Sequence, residues 1–231
     1  MTKIVLVGAG SLQFGTGMLG DIFTSSVLKG AEIVLNDINE AAALRTLKAA
    51  QDFVADNNLD FTISVDSDLR NGLKDANFVV ISIEVGDRFA LWDMDWRIPQ
   101  QYGIGQVYGE NGGPGGLFHS LRIIPPILEI CQKVADVAPN ATVFNYSNPM
   151  SRICTTVHRK FPDLKFIGMC HEIASLERHL PPMLEQPRAN IKYRAAGLNH
   201  FSVLTDVTYV DTGADAYPDV RARSEDYFSQ M

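Results

Sequence analysis

The sequence predicts an α/β protein built on a doubly wound parallel sheet. Three observations lead there: apolar runs rich in β-branched residues recur along the chain, stretches of helix length separate them, and the first run ends in a glycine turn. The runs are "KIVLV", "AEIVL", "FTISV", "NFVVISI", "ATVFNYS" and "LKFIGMC". Strands that alternate with helices form βαβ units, and each crossover brings the chain back to the same edge, so the strands run parallel. Of the segments between them, "NEAAALRTLKAAQDFVADNN" and "GGLFHSLRIIPPILEICQKVADV" read as amphipathic helices. Pro125 and Pro126 should kink or restart the second, because proline lacks an N–H and clashes with the preceding turn.

After Cys170 the rhythm changes. A helix is expected from about Glu172 to Glu185, followed by "NIKYRAAGLNHFSVLTDVTYV", two strand-like runs joined through Gly197 to His200. The sequence thus predicts one unit over residues 1–169 and the N-terminal part of a second over residues 170–231. The latter stops in "RARSEDYFSQM", inside a polar helical pattern without a closing strand, and reads as incomplete.

With 231 residues and an apolar share of 46%, the chain can bury a substantial core. A formal net charge of -7, with no run of lysines or arginines, argues against a nucleic-acid or anionic-membrane surface and for work on small molecules. The first strand begins within three residues of Met1, and no apolar run approaches the roughly 20 residues of a membrane helix, so a cytoplasmic protein is expected. Three cysteines, Cys131, Cys154 and Cys170, form no repeat spacing and suit a reducing compartment.

In "KIVLVGAGSLQFG" a strand ends at Gly8 and a helix should begin near Ser11, which aims backbone N–H groups and the positive end of a helix dipole at a pyrophosphate. Gly8 permits the tight turn and Gly10 a close approach. The third glycine of the usual G-x-G-x-x-G is missing, since Gln13 stands there and Gly15 follows two later. The second strand ends in "IVLND", which places Asp37 at its tip, where a carboxylate can accept both ribose hydroxyls and repel a 2′-phosphate. NAD is therefore expected over NADP. A glycine turn beside a surface aspartate, with no dinucleotide bound, is the plainer alternative.

Cys170 follows the last strand at the C-terminal edge of the sheet, where ligands bind in open α/β folds, and His200 lies at the turn of the next pair of strands. One thiolate and one imidazole are half of a metal site; a small buried cysteine and a satisfied histidine are the bland reading. Two protein ligands would leave positions for substrate to complete the shell of a Lewis-acid metal.

"VGAGS", "GPGG", "NYSNPM", "GMCHE" and "GLNHF", in this order, resemble glycoside hydrolase family 4, the NAD- and metal-dependent glycosidases, from Lys3 to about Val210. The resemblance implies a Rossmann-like domain holding NAD through Gly8, Gly10, Ser11 and Asp37, and a divalent metal, usually manganese, on the positions matching Cys170 and His200. It implies a route outside two-carboxylate glycosidase chemistry: oxidation at C3, loss of the acidified C2 proton with elimination at C1, addition of water, and re-reduction. Asn148 matches the asparagine between nicotinamide and substrate, and His171 sits where it could assist the leaving group. A complete enzyme of this kind is expected to be a homo-oligomer acting on a small-molecule sugar. Its elimination base, a tyrosine several dozen residues beyond the position of His200, would lie past Met231; Tyr217 and Tyr227 come too early for that role. Affinity order alone would favour zinc on a Cys/His pair, whereas the resemblance implies manganese.

Glu110 in "GENGGPGG" and Arg88 in "EVGDRFALWDMDW" are expected in loops at the ligand edge as polar candidates for the sugar pocket, with solvated loop charges as the alternative. Asn199, beside His200, is a further candidate for the substrate. Trp92 and Trp96 read as one packed helix face. "CHE" followed by Ile173 resembles the α-galacturonidase branch, whereas "CD" or "CN" types act on 6-phosphorylated sugars and "CHS" types on neutral glucosides. A uronate carboxylate would want a guanidinium, and Arg88 is the first candidate. The competing readings are an NAD-dependent 2-hydroxy-acid dehydrogenase, which needs no metal, and a non-catalytic NAD-binding fragment.

Overall fold

The computed structural model describes residues 1–11, 15–106 and 109–231, and Gln13 lies outside them. The chain divides into two compact units, Met1–Met169 and Cys170–Met231.

Unit 1 is a six-stranded sheet of β1 (Lys3–Val7), β2 (Glu32–Asn36), β3 (Thr62–Val65), β4 (Phe78–Ile81), β5 (Thr142–Asn145) and β6 (Lys165–Gly168). The spatial order is β3-β2-β1-β4-β5-β6, and each of the five pairings is parallel. The order reverses between β1 and β4, the switch point beside which open α/β sheets hold their ligands. Helices α1 (Gly15–Thr24), α2 (Glu40–Asp56), α3 (Leu69–Gly72), α4 (Arg88–Gln100), α5 (Gly113–Val137) and α6 (Met150–Lys160) supply the connections.

Because side chains alternate across a strand, β1 splits its apolar residues between two cores. Val5 and Val7 join Val79, Ile81 and Val143 beneath Ile123, Ile127 and Val134 of α5 and Ile153 and Val157 of α6. Ile4 and Leu6 join Ile33, Leu35 and Val80 beneath Leu19, Ile22 and Phe23 of α1 and Ala50 of α2. Burial of both faces explains why the sheet strands read as continuous apolar runs rather than alternating ones.

Helix α5 does not restart at Pro125 and Pro126, since it runs for 25 residues through both. The hydrogen bonds that the prolines cannot make would have ended on the carbonyls of Leu121 and Arg122, on the side of the helix where Leu121 and Pro125 are exposed. Water can satisfy those carbonyls, while the buried face of Ile123, Ile127, Ile130 and Val134 keeps the helix on the sheet.

Unit 2 holds α7 (Leu176–Leu184), a 3-10 turn at Arg188–Asn190, the antiparallel pair β7 (Ile191–Leu198) and β8 (Phe201–Tyr209), and α8 (Tyr217–Ser229). Its core gathers Leu180, Met183, Leu184, Ile191, Val207, Ala216 and Val220. Helix α7 starts later than the expected Glu172, because the segment before it is drawn into turns: Ser175 N–H donates to the His171 carbonyl and Ser175 Oγ to the Glu172 carbonyl. Among the described residues no helix is long and apolar enough to cross a membrane.

Ile123 is completely buried at the centre of α5. Ile123→Ala is expected to destabilise unit 1 by about 2–5 kcal/mol, the range for truncating a core aliphatic. A urea titration checks this through a lower midpoint at unchanged slope.

Candidate functional site

The glycine turn closes the C-terminal edge of β1. Gly8 has φ +87°, and a Cβ there would stand 2.1 Å from the Ser82 carbonyl oxygen, so only glycine fits. The N–H groups of Gly8 and Ala9 both donate to the Asn36 carbonyl, at 2.9 and 3.1 Å. A Cβ on Gly10 would meet the Ala42 Cβ at 2.5 Å, and one on Gly15 the Ala9 carbonyl oxygen at 2.5 Å. Gly15, first residue of α1, thus supplies the close packing usually given by the third glycine of the motif. Its N–H donates to the Ser11 carbonyl at 2.9 Å, the i to i−4 bond of an α-helix, which agrees with a helix beginning near Ser11. Asp37 holds this turn from the tip of β2, accepting from Gly10 N–H and Asn39 N–H at 2.8 Å each.

On the other side of β1, the loop after β5 is fixed by Ser147. Its Oγ accepts the Ile83 N–H at 2.9 Å and donates to the Ile83 carbonyl at 2.8 Å. Asn148 precedes a cis peptide bond to Pro149 and accepts the Met150 N–H at the start of α6. Beneath it Asn145 is fully buried, and its Oδ1 has no partner among the described residues.

Between the ends of β4 and α5 lies a polar cleft. Arg88 donates to Glu110 at 3.0 Å, sits 3.7 Å from Glu84, and places its guanidinium 5.6 Å above the Trp92 ring. Contrary to the loop expected there, Arg88 is the first residue of α4, because Asp87 caps that helix by accepting the Phe89 and Ala90 N–H groups. Glu110 does lie in a loop and is 5% exposed. His119 closes the network from α5, with Nε2 3.1 Å from Glu84 and Nδ1 3.4 Å from the Glu110 carbonyl. Arg122 forks onto Asp95 behind it. Trp96 donates to the Gln106 carbonyl at 3.0 Å and is 37% exposed.

Burial by itself would push the Glu84 carboxyl up, but the His119 hydrogen bond and charge, the Val85 N–H and the Arg88 charge together hold it below the usual value. The sequence drew attention to Arg88 and Glu110 but missed Glu84 and His119. A carboxylate directly after β4, and a histidine on the stripe of α5 that carries Ile123 four residues on, were the available signals.

In unit 2, the Glu172 N–H donates to Cys170 Sγ at 3.3 Å. The Glu172 carboxylate accepts the N–H groups of His200 at 2.8 Å and Ser202 at 3.1 Å. Asn199 and His200 form the two-residue turn between β7 and β8, with His200 at φ 60°. Both polar side-chain atoms of Asn199 are buried without a partner among the described residues. His171 is exposed. Among those residues no three His, Cys, Asp or Glu side chains converge as a metal cage. Of the other cysteines, burial pushes the Cys131 thiol up to about 12 and raises that of Cys154, which makes both packing residues.

Residues 3–186 match the family model described as family 4 glycosyl hydrolase. The chain is 68% identical over its whole length to an alpha-glucosidase of Erwinia rhapontici and covers 51% of that protein. It is 34% identical over 98% of its length to an alpha-galacturonidase of Thermoanaerobacter italicus, of which it covers 49%. The 6-phospho-beta-glucosidase of Thermotoga maritima, solved with manganese, NAD+ and glucose-6-phosphate, superposes with a TM-score of 0.81 at 25% identity, over 95% of this chain and 51% of that one. The chain spans about half the length of the relatives it matches.

The charge on Glu84 generates a pH dependence. A carboxyl held low by folding contributes stability that is fully present above the unfolded value of 4.5 and is lost as pH falls through the lower folded value. Unfolding curves of the parent are expected to lose more stability on acidification below that value than those of Glu84→Gln, and parallel losses would contradict this.

Proposed function

Because this chain belongs to the family 4 glycosyl hydrolases, we propose that the protein is an α-glycosidase working with NAD and a divalent metal, manganese in the first instance. Unit 1 is the NAD-binding part and unit 2 the start of the metal and substrate part. The observation that carries the reading is the Gly8 turn joined to the Asp37 carboxylate, a cradle in which added Cβ atoms would collide with the protein itself. When bound, NAD supplies a hydride acceptor and the metal a Lewis acid.

The residues present suit both groups. Gly8 and Gly10 carry no side chain into the turn that, with Ser11, would take a pyrophosphate in this reading, and Asp37 already accepts N–H groups at the tip of β2 where ribose hydroxyls would compete for it. Asn148 is in this reading the residue between nicotinamide and glycone, and the Ser147 anchor and the Met150 N–H that Asn148 accepts hold its loop. Cys170 and His200 are the metal ligands in this reading. The unpartnered amide of Asn199 next to His200 is free to hydrogen-bond a sugar hydroxyl. Exposed His171 would deliver a proton to the leaving group. The dehydrogenase alternative loses support, because the family match runs through the Cys170 region into α7.

For the glycone we favour an α-glucoside. The relative at 68% identity is named an alpha-glucosidase, and Arg88 already faces the carboxylates of Glu110 and Glu84, which leaves it poorly suited to grip a uronate. An α-galacturonide is the second reading, supported by "GMCHE" and by relatives named for that activity. Assays with NAD, Mn2+ and a reductant on aryl α-glucoside, α-galacturonide, α-galactoside and 6-phospho-α-glucoside decide the matter. Preference for the uronide would reverse the order of the two readings.

Asp37→Ala is expected to weaken NAD binding by about 1–3 kcal/mol, the scale of lost hydrogen bonds to a charged group. Calorimetric titration of parent and variant with NAD measures it, and equal dissociation constants would remove Asp37 from the cofactor site. Cys170→Ser should abolish most Mn2+ binding while leaving NAD affinity at the parent value. Retained metal would return Cys170 to a packing role.

A further inference from the structure

We infer that Glu172 is a positioning residue for the metal pair: it holds the His200 turn and the Cys170 thiol in one fixed arrangement without itself being a ligand. The inference rests on the metal reading of Cys170 and His200 given above and adds a residue to it. Three hydrogen bonds carry it. The Glu172 backbone N–H donates to Cys170 Sγ, 3.3 Å away, and so fixes the direction in which the sulfur points. Its two carboxylate oxygens take the N–H groups of His200 at 2.8 Å and Ser202 at 3.1 Å, on either side of Phe201.

His200 has φ 60°, the left-handed conformation that two-residue hairpin turns use and that costs a residue with a Cβ some free energy. The turn comprises just Asn199 and His200, between the Leu198–Phe201 and Gly197–Ser202 pairs of the ladder. A carboxylate accepting from residues 200 and 202 supplies charge-assisted bonds on that flank of the hairpin. Glu172 is itself anchored, because its carbonyl accepts Ser175 Oγ at 2.6 Å in the turn before α7. One side chain therefore ties a segment at 170–175 to a hairpin tip about thirty residues later, and those two segments bear the candidate ligands.

Loss of such an outer partner typically lowers metal affinity by about 10–100-fold. Glu172→Ala in the purified full chain is expected to weaken Mn2+ binding by that factor, read from the free-ion signal in electron paramagnetic resonance. It should also alter the near-ultraviolet thiolate-to-metal band of the Co2+-loaded protein. Glu172→Gln, whose amide oxygen can still accept one N–H, should fall between parent and Ala. NAD affinity should stay at the parent value in both. If the Ala variant keeps parent Mn2+ affinity and the parent Co2+ spectrum, or if both variants lower only the melting temperature, the inference is overturned. If Glu172→Ala does not fold, Glu172→Gln carries the test, and parent-like Mn2+ affinity in it overturns the inference. A parent chain that binds no Mn2+, or binds it equally well as Cys170→Ser, overturns the metal reading itself and this inference with it.

Discussion

At the junction of β1 and β4 the chain passes so close to itself that position 8 has no room for a side chain. The space a Cβ would need is occupied by the Ser82 carbonyl, and that carbonyl is fixed because the Ser82 N–H donates to Val7 in the register of the sheet. The same edge continues outward in one series: Ala9 N–H onto Asn36, Tyr146 N–H onto Ile81, Met169 N–H onto Asn145. Each of these strand ends is thus pinned to its neighbour, and the loops bearing Gly8, Gly10, Ser11 and Asn148 leave from pinned ends. Rigid elements holding short loops are what a site with exacting geometry requires.

The polar cleft beside that edge follows a different rule. Glu84, Arg88, Glu110 and His119 are drawn from the loop after β4, from α4, from the loop before α5 and from α5, and each satisfies another, so their charges can be partly withdrawn from water. Taking any one away would leave a neighbour uncompensated in a poorly solvated place, which makes the group behave as a unit. Arg88 shows the functional side of this. A guanidinium between two carboxylates and over an indole is held in place, but its capacity to bind another anion is already largely taken up.

The sheet was legible because its strands are buried on both faces, and a doubly buried strand has to be a β-branched apolar run. Gly8, Gly10 and Asp37 were legible for a related reason: a turn with one permitted residue type leaves a mark at a fixed offset from its strand. The role of Gly15 was not, since its value lies in what it packs against, the Ala9 carbonyl, and not in its spacing. Pro125 and Pro126 misled because a local rule about helices met a tertiary one: the lost hydrogen bonds face water while the opposite face is clamped to the core. Glu84 with His119, and Glu172 with His200, escaped notice because the partners are 35 and 28 residues apart. Sequence patterns record periodicity within an element far better than pairing between elements.

The position of β1 has a consequence for how the chain reaches this state. It precedes the other strands of its sheet in the chain, yet it ends between β2 and β4, and its second neighbour begins only at Phe78. Beyond that, β4 waits for β5 at Thr142 across the whole of α4 and α5. A parallel sheet assembled from such distant segments folds slowly, because loop closure must precede the contacts that reward it. On a ribosome, where synthesis runs from the N-terminus, an apolar ribbon fated for the centre of the protein would emerge long before its partners. Whatever shelters it in that interval, a transient packing of α1 and α2 or a chaperone, acts on a strand that is invisible from the surface once folding is complete.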